Sequence, residues 1–176
     1  MGAVPRLVGM SSPPRRQRIG AYARVVDGDR ILLAHLAAHV HPDTWVLPGG
    51  GVDHGEHPRD AVRREVYEET GLHVDPGDLV EVTSRHFTGA RPDGLVEDFH
   101  GIAIVYDATV ADVSRGVEPH VTEVDGSTDR SAWVSLDEVA GLPLGHTAHT
   151  ALTLLGLDLP ALAPFTPSPS SGRSPS

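Results

Sequence analysis

The stretch from Gly50 to Leu72, GGVDHGEHPRDAVRREVYEETGL, constrains this chain more than any other. Glu65, Glu68 and Glu69 stand at i, i+3 and i+4. On a helix of about 3.6 residues per turn they crowd one face. The helix limits are legible in the residues. Pro58 suits the first helical position, where its missing N–H costs nothing. Gly71 suits the left-handed residue just past the end. Glu68 and Glu69 then fall in the last turn, where the helix dipole disfavours carboxylates by roughly 0.3–1 kcal/mol each, and they also repel Glu65. A divalent cation is the simplest group that would offset this.

Gly50, five residues, Glu56, seven residues and then Arg64-Glu65-Val66-Tyr67-Glu68-Glu69-Thr70-Gly71-Leu72 resembles a complete Nudix box. Every fixed position of that pattern is filled. The box covers about an eighth of the chain, and Trp45-Val46-Leu47-Pro48-Gly49 and Ser131 to Leu136 resemble the family more loosely.

The resemblance implies an α/β fold, a Nudix-type α/β/α sandwich with a mixed sheet. It implies hydrolysis of a diphosphate linkage in a nucleoside diphosphate derivative, with a metal-activated water attacking phosphorus. Nucleoside triphosphates, nucleotide sugars and ADP-ribose all belong to that class, and the compact domain favours triphosphates or related small nucleotides. Mg²⁺ is the expected ion, with Mn²⁺ as a substitute. Glu65, Glu68, Glu69 and the carbonyl of Gly49 match the family's metal ligands. Glu56 and Arg64 match a supporting pair, expected to tie the loop to the helix. The rival class is a nucleotide-sensing module that does not cut, but such modules usually have a damaged box. An isoprenoid diphosphate isomerase would need a catalytic Cys, and the chain has none.

The remaining residues set limits. A length of 176 residues suits one domain with a real core. The expected division is an N-terminal arm over 1–17, a folded domain over 18–158 and a disordered Pro/Ser-rich tail over 159–176. A net charge of −10 argues against a nucleic acid polymer as partner, and RNA decapping is disfavoured with it. Lys and Asn are absent, which reads as the codon bias of a GC-rich genome. No apolar run suits a signal peptide or a membrane span, so a cytoplasmic chain is expected. Homodimers are common among enzymes of this resemblance.

The pattern predicts strands at Ile19–Val26, Arg30–His35, Trp45–Leu47, Leu79–Phe87, Phe99–Val110 and Ala132–Val134. Pro48 to Gly51 reads as a functional turn, Thr88–Gly94 as a loop, and Ala111–Thr128 as irregular. Ser135 to Glu138 reads as a capping box opening a brief helix, and His146–Leu155 as a final helix. Family members often use an acid from a downstream loop as base or extra ligand. Asp129 and Glu123 are preferred here over Glu118, Asp125, Glu97 and Asp98. Trp45, Arg85, His86 and Arg91 are candidates for substrate contact, with His100 and Tyr22 beside them. His39 and His41 lack a third zinc ligand and read as a loop pair facing water.

Overall fold

A computed structural model describes residues 12–41, 43–90, 94–124 and 126–162. Seven strands and two α-helices follow in the order β1 (Arg15–Asp27), β2 (Arg30–Leu36), β3 (Trp45–Val46), β4 (Gly49–Gly51), α1 (Pro58–Thr70), β5 (Val74–Ala90), β6 (Val96–Val110), β7 (Thr128–Ser135) and α2 (His146–Thr153). Short 3₁₀ turns lie at Asp112–Ser114 and Val139–Gly141.

The sheet is mixed and curled around β1. Along most of its length β1 runs parallel to β6, with Ile19 opposite Ile102 and Ala23 opposite Tyr106. Its other edge is shared. Gly20, Ala21 and Tyr22 pair antiparallel with β4, while Val26 and Asp27 pair with the start of β2. β2 then continues to β3 and β7. The sheet therefore splits between β1 and β2, and β4 lies in the split.

Strand alternation sorts the apolar side chains to two faces. Ala21, Ala23, Val25, Leu32, Tyr106 and Ala108 pack against Ala61, Val62 and Val66 of α1. Ile31, Leu33, Leu47 and Val105 pack against Ala148, Ala151 and Leu152 of α2. A helix covers each face, so the expected α/β/α sandwich is borne out. Among the described residues no helix is long and apolar enough to cross a membrane.

Several elements differ from the expectation in extent. β5 and β6 run as a 14-pair ladder from Val74↔Val110 to Ala90↔Val96, so Thr88 to Ala90 of the expected Thr88–Gly94 loop are paired strand, while residues 91–93 lie outside the described residues. β1 begins at Arg15, and Arg15 to Arg18 pair with Asp98 to Gly101. Gly49 to Gly51 form a strand, because β1 offers them backbone partners. No α-helix opens at Ser135; only the 3₁₀ turn at Val139–Gly141 follows it before α2. The Ser135 hydroxyl accepts the N–H of Asp137 at 3.4 Å and the Ser135 carbonyl that of Glu138 at 3.0 Å, which closes a turn instead. Gly141 and Pro143 stop the chain from extending it. At the far end Leu157 and Leu159 pack beside α2, and His149 meets the Pro160 carbonyl at 2.9 Å. Residues 1–11 and 163–176 of the two expected tails lie outside the described residues.

Leu32 is fully buried between the sheet and α1. Leu32→Ala should lower the free energy of unfolding by about 2–5 kcal/mol, read by urea denaturation.

Candidate active site

The carboxylate helix is built as its residues suggest. Pro58 opens it, and Gly71 closes it at φ 67°, donating its N–H to Tyr67. His57 supplies the N-cap, its Nδ1 accepting from the Arg59 N–H at 3.2 Å. No basic side chain lies in the last turn to answer the negative pole. The loop after β6 answers it instead. His120 N–H donates to the Thr70 carbonyl, and the N–H groups of Thr122 and Glu123 donate to Glu68. The Thr122 hydroxyl adds bonds to the carbonyls of Tyr67 and Glu68. Carbonyls orphaned at the helix end are thus satisfied from 50 residues downstream or more.

Glu69 is 3% exposed. Its Oε2 accepts the Gly49 N–H at 2.9 Å, and its Oε1 accepts the Thr128 hydroxyl at 2.6 Å. Burial pushes its carboxyl up to about 7, and the neighbouring charges of Glu65 and Glu123 push the same way, against the pull of those two donors. Glu65 is raised as well, chiefly by burial, with Arg64 opposing. Its carboxylate lies against Gly50, where an added Cβ would clash with it. Gly49 holds φ 140°, and a Cβ there would strike the Ala21 carbonyl and the Tyr22 Cα. Only glycine permits that approach.

Arg64 ties the site together. It grips Glu56 with two bonds, Nε to Oε1 at 3.0 Å and Nη2 to Oε2 at 2.9 Å. Nη2 also donates to the Gly51 carbonyl at 2.9 Å, and Nη1 to Glu65 at 2.7 Å and Glu68 at 3.3 Å. One planar cation thereby joins the loop, β4 and two of the three acids. The bond from Arg64, helped by the Asp53 N–H, holds Glu56 below the usual carboxylate range.

The other sequence candidates divide. Glu123 stands close enough to raise Glu69, and its backbone caps Glu68. Asp129 sits at a bulge of the β2–β7 ladder and meets His35 Nδ1 at 2.7 Å, beside Trp45. The Trp45 ring is packed in the core, with Arg130 over its face at 4.9 Å. Arg85, Gly101 and Arg18 lie in register across three strands and share one sheet face. His86 and His100 lie in register on the opposite face, where His86 bonds Asp98 and His100 meets Ser84 at 2.9 Å. Glu97 and Asp98 pair with Arg16 and Arg15. His41 bonds Thr44 and His39 is exposed. Arg91 and Asp125 lie outside the described residues.

Thr128 escaped the sequence reading, and Arg18 and Tyr22 also act on the site. Thr128 reaches Glu69 across 59 positions, and no local spacing marks it. Arg18 stands over Gly51, where a Cβ would come within 2.9 Å of its guanidinium, and its charge acts on both Glu65 and Tyr22. Tyr22 is raised chiefly by burial and also feels Glu69 and Glu65.

Among the described residues no three His, Asp or Glu side chains stand in ligand geometry. Glu65 and Glu68 are turned to Arg64 instead. The donor set still fits a hard divalent ion: three carboxylates within two turns of one helix, two of them raised by burial, facing glycines that leave room.

The NUDIX domain family matches residues 14–154, and the chain belongs to that family of hydrolases. It is 30% identical over 146 residues to the nucleoside triphosphatase NudI of Salmonella agona, covering 81% of this chain and 99% of that protein. It is 24% identical to the RNA pyrophosphohydrolase of Bartonella henselae, over 85% of this chain and 92% of that one. The crystal structure of a MutT NUDIX hydrolase from Burkholderia pseudomallei superposes with a TM-score of 0.61 at 31% identity, covering 80% of this chain and 98% of that chain. Nudix hydrolases act on small nucleotides and in general use divalent metal ions.

The Glu69 carboxyl gives a pH test. In divalent-free buffer its folded value of about 7 exceeds the ordinary 4.5. A carboxyl raised in the fold contributes stability below about pH 4.5 and loses it as pH rises through 7. Glu69→Gln cannot ionise. Its stability relative to the unaltered chain should therefore climb across that interval, measured by urea denaturation at several pH values. A flat difference would show that Glu69 ionises in the fold as readily as in water.

Proposed function

We propose that this chain hydrolyses the diphosphate link of a nucleoside triphosphate or a related small nucleotide, using Mg²⁺, with Mn²⁺ able to replace it. The observation that carries this reading is the gathering of Glu65, Glu68 and Glu69 on one face of α1, against the glycines of β4. The similarity to a nucleoside triphosphatase along nearly the whole of that protein supports the substrate class. The net charge of −10 favours a small nucleotide over RNA, which a basic surface would serve better.

Each residue has a role in this reading. Glu65, Glu68, Glu69 and the Gly49 carbonyl hold the metal. When bound, a divalent ion neutralises the diphosphate and makes a coordinated water a better nucleophile. Glu56 and Arg64 fix the angle between the loop and α1, so the acids do not have to be ordered at the moment of reaction. Glu69 is fixed for this task by the Gly49 N–H on one oxygen and the Thr128 hydroxyl on the other. Arg18 and Arg85 share the sheet face beside Gly51 and offer positive charge to phosphate oxygens. Glu123 is the downstream acid placed to assist Glu69, whereas Asp129 is held by His35.

Glu69→Gln should cut turnover about a hundredfold to ten-thousandfold while circular dichroism stays unchanged. Full turnover of that variant with Mg²⁺ would remove Glu69 from the chemistry. Chelation of divalent ions should silence the chain reversibly. A module that only binds nucleotide would show no turnover with or without the ion. Incubation with a nucleotide panel and mass analysis of both products would name the bond that breaks.

A further inference from the structure

A cavity lies on the α1 side of the sheet, beyond the C-terminal end of that helix. Its volume is about 450 Å³, within the range of small-molecule sites, roughly 300–1,000 Å³. Leu72, Val110 and Trp133 contribute apolar patches to a mostly polar lining, which Asp27, Arg30, Arg115 and Glu118 share. None of Glu56, Arg64, Glu65, Glu68 or Glu69 lines it. The cavity is thus separate from the carboxylate site.

Its chemistry is mixed. Arg30 lies over the Trp133 ring at 4.8 Å and bonds Asp27 at 2.8 Å. Arg115 bonds Asp112 at 2.8 Å. Both pairs are local and solvent-facing, so either arginine can exchange its partner at little cost. With Glu118 and Asp27 also at the opening, positive and negative charges nearly balance. A triphosphate would be poorly served there. A flat ring of low charge, carrying both donors and acceptors on its edge, matches a mostly polar, two-signed lining with a few apolar patches.

We infer that this cavity is a binding site for a nucleoside or a similar uncharged heterocycle, distinct from the site of hydrolysis. Its outer wall is Val117 and Glu118, from the same segment whose next residues cap α1.

The chain holds two tryptophans, so Trp45→Phe leaves Trp133 as the sole reporter. Adenosine, guanosine, cytidine and uridine carry no phosphate and make no use of the metal-bearing acids. Titrated in turn into the full chain with Trp45→Phe, at least one should change Trp133 emission in a saturable way. Arg115→Ala should weaken that binding about tenfold. Val117→Phe should abolish it, because Val117 is exposed at the wall and the larger ring fills the space without a core change. If Trp45→Phe does not fold, the same titrations on the unaltered chain and on the two wall variants are read by melting temperature. No saturable response to any nucleoside would overturn the inference. So would equal affinity in both wall variants, which would place the ligand elsewhere. Turnover measured on the same samples keeps either failure separate from the hydrolase reading.

Discussion

A buried carboxylate, with one donor from β4 and one from β7, holds this site in place. Glu69 takes the Gly49 N–H on one oxygen and the Thr128 hydroxyl on the other. A charged group so far from water costs free energy unless both oxygens are met. The two donors belong to the two parts of the sheet that separate along β1 and β2. Glu69 therefore does two things at once. It bridges the split in the sheet, and it keeps a proton affinity close to neutrality.

Arg64 performs the complementary task on the exposed side. Its guanidinium spans Glu56, Glu65, Glu68 and the Gly51 carbonyl. A lysine could not reach four partners from one plane. The fixed residues of the motif therefore divide by function in space. The glycines admit close backbone approach, the arginine and first glutamate set the loop, and the last three acids lie along one face of α1 beside them.

The sequence made the helix legible because its signals are local. Pro58, the i, i+3, i+4 acids and Gly71 lie within one short window, and each has a physical meaning on its own. The sandwich followed from the resemblance, whereas apolar alternation alone gave no more than mixed α and β. Elements that depend on a distant partner were read short or missed. Gly49 to Gly51 have no strand preference of their own, yet β1 recruits them. Thr88 to Ala90 carry turn-prone residues, yet the ladder with β6 runs through them. Ser135 and Glu138 have capping-box spacing, but a glycine and a proline soon after deny the helix its length. Thr128 and the loop caps on α1 could not be read at all, because only the folded chain brings them to the glutamates.

The caps on α1 come mainly from main-chain N–H groups of residues 120, 122 and 123. Any residue but proline can supply such a group. The main-chain caps thus ask little of the side chains here, although the Thr122 hydroxyl adds to them and the Glu123 charge reaches Glu69. Position 120 could thus take any residue but proline and the end of α1 would keep its cap.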